Sequence, residues 1–158
     1  MDDLAKSVGE RLKAARQILV TAESCTGGWV AQAVTSIAGS SDWFERGYVT
    51  YSNAAKEELL GVKQATLKKH GAVSEETARE MAQGALARSK GTVALGVTGV
   101  AGPGGGTPEK PVGMVCFAWS TADGLRSETK TFSGDRESVR RQSVIRALEG
   151  VIETLDGG

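Results

Sequence analysis

The sequence carries no net charge: 19 Lys and Arg stand against 19 Asp and Glu in 158 residues. A balanced chain offers no electrostatic footprint for nucleic acid or for an anionic membrane surface. No apolar run approaches the length of a membrane span. The opening stretch, MDDLAKSVGERLKAAR, is charged throughout and does not read as a secretory signal. Histidine is almost absent. The single one, His70, lies in KKHG at a polar helix end, where the helix dipole favours it as a solvated residue. The two cysteines, Cys25 and Cys116, are far apart and fit no zinc spacing. These absences argue against a metal site and against a Ser-His-Asp triad, and nothing calls for a cofactor. Free thiols make the cytoplasm the default compartment.

What is present reads as one domain over 1–158. Its length is enough for a sizeable core but too short for two ordinary domains. Periodicity predicts helices over 2–16, 27–38, 54–62, 64–71 and 74–90, and a last helix over 136–155. Strands are expected at 17–22, 47–52, 92–98, 112–121 and 125–132, with ADG as a hairpin turn between the last two. Helices before, between and after the strands indicate an α/β fold, a three-layer α/β/α sandwich. Its sheet is expected to be mixed and mostly parallel.

Three stretches could carry chemistry. TAESCTGG, residues 21–28, leaves a buried strand and enters a helix. Its simplest reading is a capped turn. Its chemical reading is a nucleophile turn, with Ser24 as the hydroxyl and backbone N–H groups of Thr26, Gly27 and Gly28 holding an oxyanion. A serine nucleophile needs a base. Without a suitable histidine the candidate is Lys56, which opens a helix straight after a strand end. Lys56 can accept a proton only if burial or a nearby cation lowers its pKa. The second stretch, GVTGVAGPGGGTPEKPVG at 96–113, is a glycine-dense loop of the kind that is usually functional or disordered. Its successive N–H groups could cradle a phosphate, although it matches neither a P-loop nor a dinucleotide fingerprint. Third, the apolar stripe of the last helix runs on through Glu137 and Arg141, with Arg140 at its edge and Arg136 further round. The stripe admits a surface ion pair or an arginine directed at a polar cavity.

AESCTGG, GSSDWFERGYVTYSNAAK, GAVSEETAREMAQGA, VTGVAGPGGGTPEKPVG and GDRESVRRQ together closely resemble the CinA C-terminal domain family, the nicotinamide-nucleotide amidases. The match runs in order from about residue 4 to 155. The resemblance implies an α/β/α fold, a metal-free serine/lysine mechanism and a homo-oligomer. It implies hydrolysis of the carboxamide of nicotinamide mononucleotide to nicotinate mononucleotide and ammonia. The family's serine falls on Ser24 and its lysine on Lys56, with Ser41 the alternative nucleophile. Further polar positions fall on Ser41, Tyr51, Asn53, Thr98 and Arg140. With the loop glycines, among them Gly99, Gly102 and Gly105, and with Arg141, these make up the expected substrate site. Two other readings remain: a nucleotide-binding module without turnover, and an amidase for a different small amide.

Overall fold

The structure, a computed structural model, describes residues 1–157. Along the chain it forms α1 (Asp2–Ala15), β1 (Leu19–Glu23), α2 (Trp29–Thr35), a 3-10 turn (Ser40–Asp42), β2 (Phe44–Val49), α3 (Asn53–Leu60), α4 (Gln64–His70), α5 (Glu75–Ala87), β3 (Val93–Gly99), β4 (Met114–Thr121), β5 (Gly124–Thr131) and α6 (Arg136–Leu155). The five strands make one sheet in the order β2-β1-β3-β4-β5. β1 runs parallel to β2 and to β3, whereas β3–β4 and β4–β5 are antiparallel. The sheet is therefore mixed: two of its four pairings are antiparallel, while four of its five strands point the same way and β4 alone is reversed. The reason is local: β4 and β5 are a hairpin joined by the Ala122–Asp123 turn, which forces one antiparallel pairing, and the loop after β3 returns directly to β4 for the other.

Helices α1, α2 and α6 cover one face of the sheet and α3, α4 and α5 the other, giving the three-layer sandwich. Central strand β1, LVTAE, is buried at every position because both of its faces are covered. Side chains alternate between faces along a strand. Leu19 joins the α1/α2/α6 core, while Val20 and Ala22 join the α3/α4/α5 core. That alternation sends Glu23 toward α2 and the next residue, Ser24, toward α3.

Two elements differ from their sequence reading. β2 spans 44–49 instead of 47–52, because its register is set by pairing with β1 from Leu19–Phe44 to Glu23–Val49. As a polar edge strand, FERGYV has no apolar alternation to mark its start. In α6 the buried positions are Val139, Ser143, Val144, Ala147, Leu148, Gly150 and Val151. The packed face is thus turned from the expected one, leaving Glu137 and Arg141 outside and bringing Arg140 in. Small residues do this. Gly150 has room for no side chain against the Trp119 ring, and the Trp119 indole donates to the Ala147 carbonyl at 3.0 Å.

Candidate active site

Everything at the C-terminal end of β1 follows from the alternation between faces. Beyond Glu23 the ladder to β3 continues for one more bond, Ser24 N–H to the Val97 carbonyl at 3.0 Å. The chain then turns, with the Gly27 N–H returning to the Ser24 carbonyl at 3.0 Å. Gly27 and Gly28 both take left-handed backbone conformations, φ 59° and 103°, which strain any residue with a side chain.

On the α2 side, Glu23 is fully buried. Its carboxylate accepts from the Thr26 hydroxyl at 2.6 Å, from Val30 N–H at 2.9 Å and from Ala31 N–H at 3.0 Å. The chain thus caps α2 from inside, and the dipole end of that helix is spent on Glu23. Thr26, expected at the site for its backbone N–H, also acts through its hydroxyl.

On the α3 side, Ser24 meets Lys56. Thr50 N–H donates to the Glu23 carbonyl at 2.8 Å, holding the chain after β2 against the end of β1. Ser52 then caps α3, its hydroxyl accepting from Ala55 N–H at 3.0 Å. Helical side chains lean back toward the N-terminus of their helix, so Lys56, in the first turn of α3, reaches back over that chain. Its Nζ lies 2.9 Å from Ser24 Oγ, 2.9 Å from the Thr50 carbonyl and 3.4 Å from the Tyr51 carbonyl. Lys56 is 1% exposed and Ser24 7%. Ser24 therefore lies in a buried dyad, not on an exposed turn. No carboxylate forms a salt bridge with Lys56 among the described residues. Burial lowers its pKa, opposed slightly by Cys25. The cause is desolvation, not a neighbouring arginine.

Cys25, beside Ser24 in sequence, points into the α2/α6 core. Burial, with the Glu23 carboxylate adding to it, pushes its thiol up to about 12. It stays protonated at neutral pH and is a poor rival nucleophile.

The arginines of α6 divide the work differently from expectation. Arg140 donates from Nε to the Cys25 carbonyl and from Nη2 to the Thr26 carbonyl, both at 3.1 Å. Its guanidinium is a clamp on the turn after Ser24 and sits over Trp29. Arg141 is half exposed, pairs with Glu137 at 3.6 Å and also lies over Trp29. Arg136, which the helical stripe passed over, donates from Nη1 to the Gly102 carbonyl at 2.7 Å and from Nη2 to the Tyr51 hydroxyl at 3.2 Å. Tyr51 is 63% exposed, so this bridge forms a rim between the strand end and the glycine loop.

Thr98 lies on the same face of the sheet as Ser24, one step beyond Val97, and its hydroxyl donates to the Ala72 carbonyl at 2.9 Å. Gly99 ends β3, Gly102 meets Arg136 through its carbonyl, and Gly105 sits at the exposed loop tip with φ 87°. Asn53 is exposed at the start of α3. Ser41 is elsewhere. It lies in the turn before β2, at the opposite end of the parallel strands from Ser24. At about 3.3 Å per residue, the length of β1 separates them by roughly 16 Å. Within one chain Ser41 reaches neither Lys56 nor Ser24.

Sequence reasoning passed over Glu23, Thr50 and Arg136. Glu23 did leave a signal: a carboxylate ending a mostly apolar strand just before a glycine turn has few partners except the N–H groups of the next helix. The Thr50 carbonyl left none, since its role depends on where Lys56 lands.

Known proteins share this architecture. A family model described as the CinA C-terminal domain matches residues 1–155. The chain is 54% identical over 147 residues to the nicotinamide-nucleotide amidohydrolase PncC of Escherichia coli strain K12, covering 92% of this chain and 89% of that protein. It is 51% identical over 150 residues to the PncC of Pseudomonas putida, covering 95% and 94%. Among solved structures, the competence/damage inducible protein CihA from Agrobacterium tumefaciens superposes with a TM-score of 0.95 at 44% identity, over 98% of this chain and 94% of that one.

Proposed function

The chain belongs to the CinA C-terminal domain family, and from that premise we propose that it hydrolyses the carboxamide of nicotinamide mononucleotide, using Ser24 as nucleophile and Lys56 as base. The observation that carries the mechanism is the buried 2.9 Å contact between Ser24 Oγ and Lys56 Nζ. The names of the relatives carry the substrate. The products are nicotinate mononucleotide and ammonia, which places the reaction in pyridine nucleotide recycling. The compartment we propose is the cytoplasm, consistent with two free thiols.

The geometry around Lys56 suits a base. A neutral amine has two N–H groups and one lone pair. The Thr50 and Tyr51 carbonyls can accept the two N–H groups, which leaves the lone pair for the Ser24 hydroxyl. Burial makes this neutral form accessible by disfavouring the ammonium. Ser24 Oγ attacks the carboxamide carbon while its proton passes to Lys56 Nζ.

The carbonyl oxygen becomes an oxyanion. Gly27 N–H is occupied by the Ser24 carbonyl, whereas the N–H groups of Cys25, Thr26 and Gly28 make no hydrogen bond among the described residues. Thr26 N–H is the best placed of these. In a trans peptide the C=O and N–H point in opposite directions. Arg140 holds the Cys25 carbonyl toward the α6 side, so the Thr26 N–H of the same peptide faces the other side, where Ser24 and Lys56 lie. Collapse of the intermediate breaks the C–N bond, and Lys56 returns its proton to the leaving ammonia. Water, deprotonated by Lys56, then hydrolyses the ester and restores the Ser24 hydroxyl.

Ammonia release tests this reading directly, with nicotinamide mononucleotide as substrate and nicotinamide and its riboside as comparisons. Wild type should release ammonia from the mononucleotide, and Ser24→Ala should bind it without turnover. Binding without release by wild type would make the protein a nucleotide-binding module. Release only from some other amide would leave the dyad standing and remove the substrate.

A further inference from the structure

Of the three arginines near the start of α6, one has its donors committed and one faces a carboxylate. Arg140 clamps two turn carbonyls and Arg141 pairs with Glu137. Arg136 is placed differently. Like Arg140 it has only neutral partners, a carbonyl and a hydroxyl, and forms no salt bridge among the described residues, but it is itself exposed and one partner is the hydroxyl of the exposed Tyr51. A guanidinium held by neutral acceptors gains by exchanging them for an anion, because charge-assisted and bidentate bonds are the stronger ones. We propose that Arg136 is the specificity-determining residue that binds the phosphate of the substrate, moving from the Gly102 carbonyl and the Tyr51 hydroxyl onto the phosphate oxygens. This rests on the mononucleotide reading above.

The position of Tyr51 supplies the spacing. Its carbonyl faces Lys56 Nζ and its hydroxyl faces Arg136, so one tyrosine spans the gap from the dyad to the guanidinium. A mononucleotide likewise has its carboxamide at one end and its phosphate at the other, across a ring and a ribose. Further along the loop whose Gly102 carbonyl Arg136 holds, the N–H groups of Gly104, Gly105 and Gly106 make no hydrogen bond among the described residues, and successive free N–H groups of this kind suit an anion. Two carboxylates sit close in sequence. Asp135 is occupied in capping α6, accepting from Ser138 N–H at 2.9 Å, and Glu137 pairs with Arg141.

The device predicts selection against the riboside. Without a phosphate, Arg136 keeps its neutral partners, and the substrate gains nothing from it.

The test is the ratio of kcat/KM for the mononucleotide to kcat/KM for the riboside, in wild type, Arg136→Gln and Arg136→Lys. The ratio should fall about ten- to hundredfold in Arg136→Gln, the cost of one lost charge-assisted bond. It should fall less in Arg136→Lys, which keeps a point charge but loses the fork. Calorimetric binding of ribose 5-phosphate, which needs no turnover, should weaken by a similar factor in Arg136→Gln. An unchanged ratio, or unchanged ribose 5-phosphate affinity in a variant that melts like wild type, overturns the assignment. If wild type releases no ammonia from the mononucleotide, the substrate reading fails by itself, and the ribose 5-phosphate arm still decides the subsite.

Discussion

At the end of β1 the two faces of the sheet each bury an ionisable side chain, and they treat it in opposite ways. Glu23 faces α2 and receives three donors, two of them from the positive end of a helix. Lys56 faces the same strand end from α3 and receives two carbonyls and a serine hydroxyl. A carboxylate so surrounded has its oxygens satisfied by hydrogen bonds. A lysine with no carboxylate beside it has no opposite charge to offset its burial, and its pKa falls. The first arrangement suits an anchor and the second suits the base proposed above. A buried charge is therefore structural or chemical according to how completely its partners compensate it, and backbone alternation alone puts the two on opposite sides of one strand.

The largest break in that contrast comes from denying Lys56 its neutral form. Lys56→Arg keeps a cation but holds its proton at any working pH. It should be as inactive as Lys56→Ala, with turnover lowered at least a thousandfold, within the range that positioned acid–base groups contribute. The same argument fixes the sign of the pH dependence. A lysine with lowered pKa is protonated and idle at low pH, so kcat/KM should rise with pH along a limb lying below the usual lysine value of about 10.4. Substantial turnover by Lys56→Arg, or a limb that falls with rising pH, would mean that Lys56 supplies charge alone and that another group takes the proton.

Glu23→Gln probes the other face. The amide keeps one acceptor oxygen but sets an NH2 against donors that the carboxylate satisfied. Losing a buried bond to a charged acceptor costs about 2–3 kcal/mol, which lowers Tm by roughly 4–12 °C for a chain of this size. Thermal melts read this directly. The outcome that separates the faces is a Glu23→Gln protein that melts early yet, while folded, keeps the Lys56-dependent pH limb. A melting point within a degree of wild type would remove Glu23 from the role of anchor.

The sequence was informative where local rules decide. The limits of α6, the β4–β5 hairpin and the strand–turn–helix around Ser24 follow from periodicity, turn chemistry and glycine placement, and the three-layer order follows from the succession of elements. It was uninformative where one element's place depends on another's. β2 takes its register from β1, so an edge strand containing Glu45, Arg46 and Gly47 gave no sign of where it begins. The roles of the three arginines depend on the rotation of α6, and Ala147 and Gly150 set that rotation by allowing close approach to Trp119. An apolar stripe cannot express an interface built from small residues. Lys56 was recognisable as a residue opening a helix after a strand. Its two carbonyl partners were not, because they become partners only once Thr50 is pinned to Glu23.

Arg140 refines the contrast between the faces, because it lies on the anchor side and acts on the catalytic one. Its two bonds end on the carbonyls of Cys25 and Thr26, and in the proposed mechanism the peptide they hold presents the Thr26 N–H to the oxyanion. Arg140→Met should leave that N–H present but poorly aimed. Removing an oxyanion donor outright costs about a hundred- to a thousandfold in kcat, so misaiming one should cost less, on the order of tenfold. Because the oxyanion forms at the carboxamide and not at the phosphate, the loss should fall on kcat, leave KM nearly unchanged, and be equal for mononucleotide and riboside. The pH limb set by Lys56 should keep its position, since burial and not Arg140 sets that pKa. Steady-state kinetics on the two substrates decide the matter. A rise in KM confined to the mononucleotide would assign Arg140 to phosphate binding and remove it from the turn.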